Sequence, residues 1–399
     1  MGDSNRDIVN VDLPFYYAMV VWGDKYVDML LDVALPCLLA PGNLPALNNL
    51  RDSRFLFMTT PRDRARIAAS AIFKILSGVI RPEFVEAPWI EEKDLTFYLK
   101  ASRGHQEAAR VAAEHNAYCV YLVPDILMSN GALQFLVTMA NAGKQAVMVP
   151  GIRVVRETIL REIGSAYPLH SRGVLNFSSR ALVELGLRHV HISDQRYNWD
   201  HPCFSRSPVI CTWNIPEEDG LLVRAFHLHP ILMRISNVNS TELLDSNTID
   251  DEFVGLNFPN WDAIHIESDS DNIVLFSLTD QDDRSEPLEP NVANVEKLRA
   301  VAYSDLCNPL HRYYFTKAIK LHSRELSEKW ARVERDTGLL AYTALCIAET
   351  VTPMERRASE FLPYIEGRTM LRELVSRMMK RLLRIPRKLL SRIRIRLVE

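Results

Sequence analysis

An α/β fold built on a largely parallel sheet is what this sequence predicts, and two features carry that prediction. Through the first half, short apolar runs alternate with amphipathic patterns about 10–15 residues long, the mark of βαβ units. Around residue 200 the texture changes to strand-like runs with no long helix between them, which predicts an antiparallel or mixed extension of the same sheet.

The elements follow in order. "FYYAMVVWG" (15–23) reads as a strand that ends at Gly23. "DKYVDMLLDVALPCLLA" places apolar residues at three- and four-residue spacing, as an amphipathic helix does. "RFLFMTT" (54–60) is strand-like, and "RDRARIAASAIFKILSG" is helical with a glycine stop at Gly78. "ASRGHQEAARVAAEHN" is helical and leads into the strand "AYCVYLV"; "GALQFLVTMANAGK" is helical and leads into the strand "QAVMVPG" (145–151). Further on, "PVICTWNIP", "GLLVRAFHLHPILMRIS", "AIHIES" and "NIVLFSLT" read as strands. The polar, acidic "TDQDDRSEPLEPN" (279–291) reads as a linker, and a helical pattern fills 292–366. A length of 399 residues fits two or three units. The expected division is 1–290, a helical region 291–366, and a tail 367–399.

The tail carries the strongest charge signal. From Arg368 to Glu399 there are eleven Arg or Lys against two Glu, a net of +9, so residues 1–367 carry −12 of the total −3. Leu371, Leu374, Met378, Leu382 and Ile385 form one helical stripe, flanked by Arg372, Arg377, Lys380, Arg381, Arg384 and Lys388, and Pro386 breaks or kinks it. A basic amphipathic helix suits an anionic membrane surface, each cation adding on the order of 1 kcal/mol; packing of the stripe on the acidic body is the other reading. Nucleic-acid binding would need a basic stripe on the folded body, which is acidic.

The six cysteines are scattered without a CxxC, several in apolar runs, as reduced buried thiols are. "MGDSNRDIVNVDLPF" has acids and no long apolar core, and no window approaches the length of a spanning helix. A cytoplasmic protein is expected. No GxGxxG, Walker loop or GxSxG occurs.

In a parallel sheet, ligands gather outside the carboxyl ends of the strands. The candidates there are Trp22, Gly23 and Asp24; Thr59, Thr60 and Pro61; Pro124 and Asp125; and Pro150, Gly151, Ile152 and Arg153. Turn chemistry alone would use the same residue types. In "FHLHPIL", alternation along a strand puts His227 and His229 on one face, a metal or base pair in one reading and core histidines in the other. Asp245, Asp250, Asp251 and Glu252 form one acidic group, and Glu267, Asp269 and Asp271 another that resembles a hairpin turn. Asp250 or Asp251 is the better candidate base. His201, Cys203 and Cys211 lack a second pair at zinc spacing.

The run "VVWGDKYVDMLLDVALPCLLAPGNLPAL" followed by "RFLFMTT", together with "YLVPDILMSNGAL", "GKQAVMVPGIR" and "HLHPIL", resembles bacterial glycosyltransferase-like proteins with a GT-A type nucleotide-diphospho-sugar domain. The resemblance covers about residues 14–280. It implies a GT-A-like, Rossmann-type mixed sheet flanked by helices, to which the helical region is appended. It also implies that Val21, Trp22 and Gly23 cradle the base and ribose, with Thr59 and Thr60 nearby. Asp125 stands where the family places a metal-binding acidic motif, and His229 where a histidine completes the metal shell. This chain has one carboxylate there, "PDILM", without a second two residues on. Either Asp125 and His229 hold a divalent cation (Mn²⁺ or Mg²⁺), or cations such as Arg153 neutralise the leaving group, or catalysis has been lost. The implied activity is transfer of a sugar from a nucleotide-sugar donor to a glycan or lipid-linked acceptor in polysaccharide assembly. It would be peripheral to the inner membrane through residues 368–399. The alternative is a non-catalytic scaffold that recruits partners to the membrane.

Overall fold

Central strands of this chain are uniformly apolar because both of their faces are covered. β1 (Phe15–Val20) is buried at every position, and so is β4 (Tyr118–Leu122). The computed structural model describes residues 13–345 except 49, 167–172, 216–217, 219, 237–247, 251, 284–286 and 305–306. Asp245, Asp251 and the basic tail therefore lie outside the described residues.

The remaining strands are β2 (Arg54–Thr59), β3 (Arg81–Glu86), β5 (Ile126–Met128), β6 (Ala146–Val149), β7 (Ile152–Val155), β8 (Ile210–Asn214), β9 (Gly220–Ala225), β10 (His229–Met233), β11 (Ile264–Ile266), β12 (Leu275–Thr279) and β13 (Ile319–His322). Seven of them form the main sheet in the order β11-β6-β10-β4-β1-β2-β3. All its pairings are parallel except those of β10, which runs antiparallel to both β4 and β6. This is a Rossmann-type mixed sheet flanked by helices, as the GT-A resemblance implies. Pro82 sits in β3, an edge strand, where a missing N–H costs no ladder bond.

The antiparallel extension is not simply more of the same sheet. β10 and β11 join the main sheet, while β12 pairs with β5 and β7, and β8 and β9 pair with β13 in a third sheet. The stretch expected to be helical after 291 does supply helices Val295–Ala302, Pro309–Phe315 and Glu328–Leu345, but it also supplies β13, antiparallel to β9. These helices bury Leu298, Phe315, Ala341 and Ala344 against Phe204, Cys211 and Phe226 in a second core. Among the described residues, no helix is long and apolar enough to cross a membrane.

Helix ends carry the expected chemistry. Thr60 caps the helix Pro61–Ala69 by accepting from the Asp63 amide, and Pro61 fills its first turn. The pattern read as one helix from Arg62 to Gly78 breaks at Ser70, whose hydroxyl caps a second helix, Ala71–Ser77. In the helix Phe97–Glu114, Gly104 faces β1; a Cβ there would lie 2.5 Å from Val20 Cγ2. Only glycine lets this helix lie so close to the sheet.

Candidate functional site

The order of the main sheet reverses at β1. The chain goes from β1 outward to β2 and β3, then returns to place β4 on the other side of β1. A crevice opens at the carboxyl ends of strands flanking such a switch point, and ligands of open α/β sheets bind there. Trp22 and Gly23 follow β1, Thr59 and Thr60 close β2, and Asp125 follows β4, so five of the expected site residues share this rim.

Asp63 organises the β1–β2 side. Its Oδ2 accepts from the Gly23 amide and the Thr60 hydroxyl, each at 2.9 Å. The side chain is only 3% exposed, yet its Oδ1 has no partner, and neither has the buried Thr59 Oγ1. Gly23 holds φ at +79°, a left-handed value that favours glycine. Beside it, half-buried Trp22 and Tyr26 both meet Phe97, with ring centroids 4.8 and 5.2 Å away.

At the end of β4, the Asp125 carbonyl accepts from the Leu278 amide at 2.7 Å, which ties this loop to β12. Burial pushes the Asp125 carboxyl up to about 6, against the pull of nearby Lys25. Lys25 pairs with Asp280, whose other oxygen takes Arg156 Nε at 2.6 Å. Burial works against ionisation of Asp280, but Lys25 and Arg156 outweigh it and lower its pKa.

Arg153 lies at the start of β7. Asp194, 4% exposed, accepts from Arg153 Nε at 2.6 Å and from its amide at 2.8 Å. Burial raises the Asp194 pKa even so. Next to this pair is a cavity of about 530 Å³, lined by Asp194, Gln195, Asn198, Thr212, Asn214 and Glu218 among others.

The two histidines of "FHLHPIL" do not share a strand face, because His227 lies in the link between β9 and β10 rather than in a strand. The ring of His227 packs on His311, centroids 4.2 Å apart, while His229 bonds the Tyr121 carbonyl. They meet again through Asp250, whose charge reaches His227, His229, His105 and Tyr314. Burial first, and then the neighbouring His229, push His105 down to about 4; burial and His311 do the same to His227. Burial also lowers the pKa of His229. His105 bonds the Leu122 carbonyl, and the Nε2 atoms of His105 and His229 are both buried without partners.

The second acidic group is a turn, as the sequence suggests. Glu267 Oε1 accepts from the amides of Ser268 and Asp269 at 2.8 and 2.7 Å. Asp269, Asp271 and His322 lie within 4.8 Å of one another, and among the described residues they form the one set of three such donors. These groups are already engaged. His322 bonds Asp269 at 2.9 Å and the Arg324 carbonyl at 2.7 Å, and Arg180 grips both Asp271 oxygens.

Three residues of this rim escaped the sequence. Asp63 has a readable signal, since Thr-Pro-Arg-Asp is a helix start, though nothing local reports its reach to Gly23. His105 is hidden inside a helical pattern, and Asp280 inside an apparent linker.

No protein-family profile matches the chain, and no curated protein sequence does. Among solved structures, one described as a glucose-1-phosphate thymidylyltransferase from Bacillus anthracis in complex with a sucrose aligns over 36% of this chain and 59% of its own. Its sequence identity is 8% and its TM-score 0.24. TarS from S. aureus aligns over 76% of this chain and 42% of its own, at 10% identity and a TM-score of 0.27. The chain spans less than two thirds of either.

Proposed function

We propose that the protein is a glycosyltransferase that moves a sugar from a nucleotide-diphosphate donor to a glycan or lipid-linked acceptor. The observation that carries this reading is the switch-point rim, where Asp63 Oδ1 and Thr59 Oγ1 are buried without partners beside the Trp22–Gly23 turn. A buried orphan acceptor awaits a donor. A nucleobase N–H meets that need, and the half-buried aromatics Trp22 and Tyr26 offer it a face.

Transfer would proceed by attack of an acceptor hydroxyl oxygen on the anomeric carbon. The bond from that carbon to the diphosphate breaks, and the nucleoside diphosphate leaves with the electron pair. In an inverting reaction the hydroxyl proton passes to a carboxylate, for which Asp250 is the described candidate and Asp251 the other. Negative charge on the departing diphosphate would be met by Lys25, Arg153 or Arg156. A divalent cation would neutralise the diphosphate in the same way; Asp125, beside Lys25, and His229, beside Asp250, are the expected donors, but among the described residues no contact joins the two. The amide- and carboxylate-lined cavity beside Arg153 suits a polyhydroxylated acceptor, and residues 368–399 would hold the protein at an anionic membrane face.

A non-catalytic scaffold is the second reading, favoured by the pairing of Lys25, Arg153 and Arg156 with carboxylates. Thermal shift with UDP-, GDP-, CMP- and dTDP-sugars, with and without Mn²⁺, separates the two. A donor-specific rise in Tm that Asp63→Ala abolishes is expected; no rise with any donor sinks the transferase reading.

A further inference from the structure

The cavity beside Arg153 is walled by polar side chains, several of which use only half of their hydrogen-bonding capacity. Asp194 and Glu218 are the committed ones. Both Asp194 oxygens take Arg153, and Glu218 takes Trp330 Nε1 at 2.7 Å and the Ser327 hydroxyl. Gln195 donates to the Val190 carbonyl at 2.8 Å, which leaves its amide oxygen. Asn198 Oδ1 accepts from the Asp200 amide at 3.1 Å, which leaves its NH₂. His201 Nδ1 accepts from the Cys203 amide at 3.1 Å, so its Nε2 carries a proton and can only donate. The exposed side chains of Asp200 and Asn214 have no protein partner among the described residues. Along 195–201 the free groups therefore alternate: acceptor at Gln195, donor at Asn198, acceptor at Asp200, donor at His201.

The rest of the lining says what kind of molecule could answer that pattern. Ile152 and Leu221, 1% and 7% exposed, give the cavity an apolar portion. Among the described residues no Lys or Arg lines it, whereas three carboxylates do, and the neighbouring Arg153 is held by Asp194 and Tyr197. An acid group entering would meet no free counter-charge and would be repelled by Asp200 and Glu218. No aromatic side chain lines the cavity either, so a nucleobase would have no ring to stack on. At about 530 Å³ it has the size of a small-molecule site.

We propose that this cavity binds a sugar unit that carries no acid group, and that it rejects uronic acids and phosphorylated sugars. Ring hydroxyls both donate and accept, as the alternating groups of 195–201 require, and the C–H face of a pyranose meets Ile152 and Leu221. The same charge pattern keeps a nucleotide's phosphates out, so a nucleotide-sugar donor does not compete for this cavity. Naming the bound sugar as the acceptor rests on the transferase reading above; the affinity for sugar and its charge selection do not.

The test uses the full chain without nucleotide, applied to an array of neutral, amino, uronic-acid-bearing and phosphate-bearing glycans. The best-bound glycan is then followed in solution by saturation-transfer NMR. Binding confined to neutral and amino glycans is expected. Asn198→Asp keeps the acceptor for the Asp200 amide but loses the donor, and Asn214→Leu removes an exposed amide. Each should weaken binding by about three- to tenfold. Asp200→Lys supplies the missing cation and should admit uronic-acid glycans that the native chain refuses. Thermal melts of the variants check that they fold, and the exposed positions 200 and 214 serve if Asn198→Asp does not. Absence of glycan binding by the native chain overturns the proposal. So does binding of acidic glycans as tight as that of neutral ones, or native-like affinity in both Asn198→Asp and Asn214→Leu. Donor thermal shifts are read separately: glycan binding without a donor shift sinks only the transferase reading, and a donor shift without glycan binding sinks only the cavity proposal.

Discussion

The Gly23 amide donates to Asp63 Oδ2 across 2.9 Å, a bond that helps join the end of β1 to the first turn of the helix that follows β2. Removing the carboxylate strands a backbone N–H at a strand end and takes a partner from Thr60. Asp63→Ala is expected to cost about 1–3 kcal/mol in urea unfolding. Asp63→Asn, whose amide oxygen still accepts, should cost less. An unchanged urea midpoint for the alanine variant would show that Asp63 does not hold the rim together.

Gly104 offers a test in which two effects compete. Alanine favours a helix interior over glycine by about 0.8–1.0 kcal/mol. Its Cβ, however, would fall 2.5 and 2.7 Å from the two methyls of Val20, on a fully packed strand. Overpacking of this kind costs about 1–3 kcal/mol, so Gly104→Ala should lower Tm. Gly104→Ala combined with Val20→Ala should recover part of the helix gain. A higher Tm for the single variant would mean the helix moves off β1 freely.

The parallel half of the fold was legible because its signals are local: apolar runs of strand length, helix periodicity, glycine and proline at the boundaries. β3 escaped because an edge strand, "RPEFVE", is half polar and carries a proline. The split of β10, β12 and β9 among three sheets escaped because strand pairing is set by tertiary packing, which alternation does not encode. Site legibility followed the same division. Trp22, Gly23, Thr59, Thr60 and Asp125 stand at the strand ends, where position alone nominates them. The Asp280–Lys25–Arg156 network joins residues more than a hundred positions apart. The alternation that paired His227 with His229 does not hold, because His227 lies outside any strand, and only the charge of Asp250 reaches both.

Three buried thiols, Cys37, Cys119 and Cys211, should be inert. Burial pushes Cys37 and Cys119 up to about 12 and raises Cys211 as well, so none forms thiolate near neutrality. Ellman's reagent at pH 8 is expected to leave these three untouched in the native protein and to titrate them in guanidinium. Mass spectrometry of alkylated native protein assigns the sites. Rapid native labelling of Cys37 or Cys119 would contradict their burial.

Two arginine–carboxylate pairs should differ sharply in worth. Arg153 answers Asp194, a carboxylate 4% exposed, so Arg153→Ala leaves a buried charge and should cost about 3–5 kcal/mol. Arg180 grips Asp271 with good bidentate geometry, but that carboxylate is 40% exposed, and Arg180→Ala should cost far less than Arg153→Ala. Chemical denaturation of the two variants side by side reads the contrast. Equal losses would mean that the Asp194 pocket is hydrated in solution.

The protein should lose stability on mild acidification, and the sign follows from the buried histidines. His105, facing His229 and Asp250, and His227, facing His311 and Asp250, titrate near 4 in the fold and near 6.5 in the unfolded chain. Between those values the unfolded chain binds more protons. Each group therefore withdraws up to about 1.4 kcal/mol of stability per pH unit as the pH falls from 6.5 toward 4. Asp125 works in the opposite direction: its folded pKa is about 6 against 3.8, so the native state takes up its proton first and gains as pH falls through 6. Two strongly shifted histidines against one carboxylate give a net decline across pH 6 to 4 from these groups. His227→Gln should flatten the decline and Asp125→Asn should steepen it, both read as urea midpoints. A slope unchanged by His227→Gln would show that this imidazole is already protonated in the fold, and that burial beside His311 does not keep it neutral.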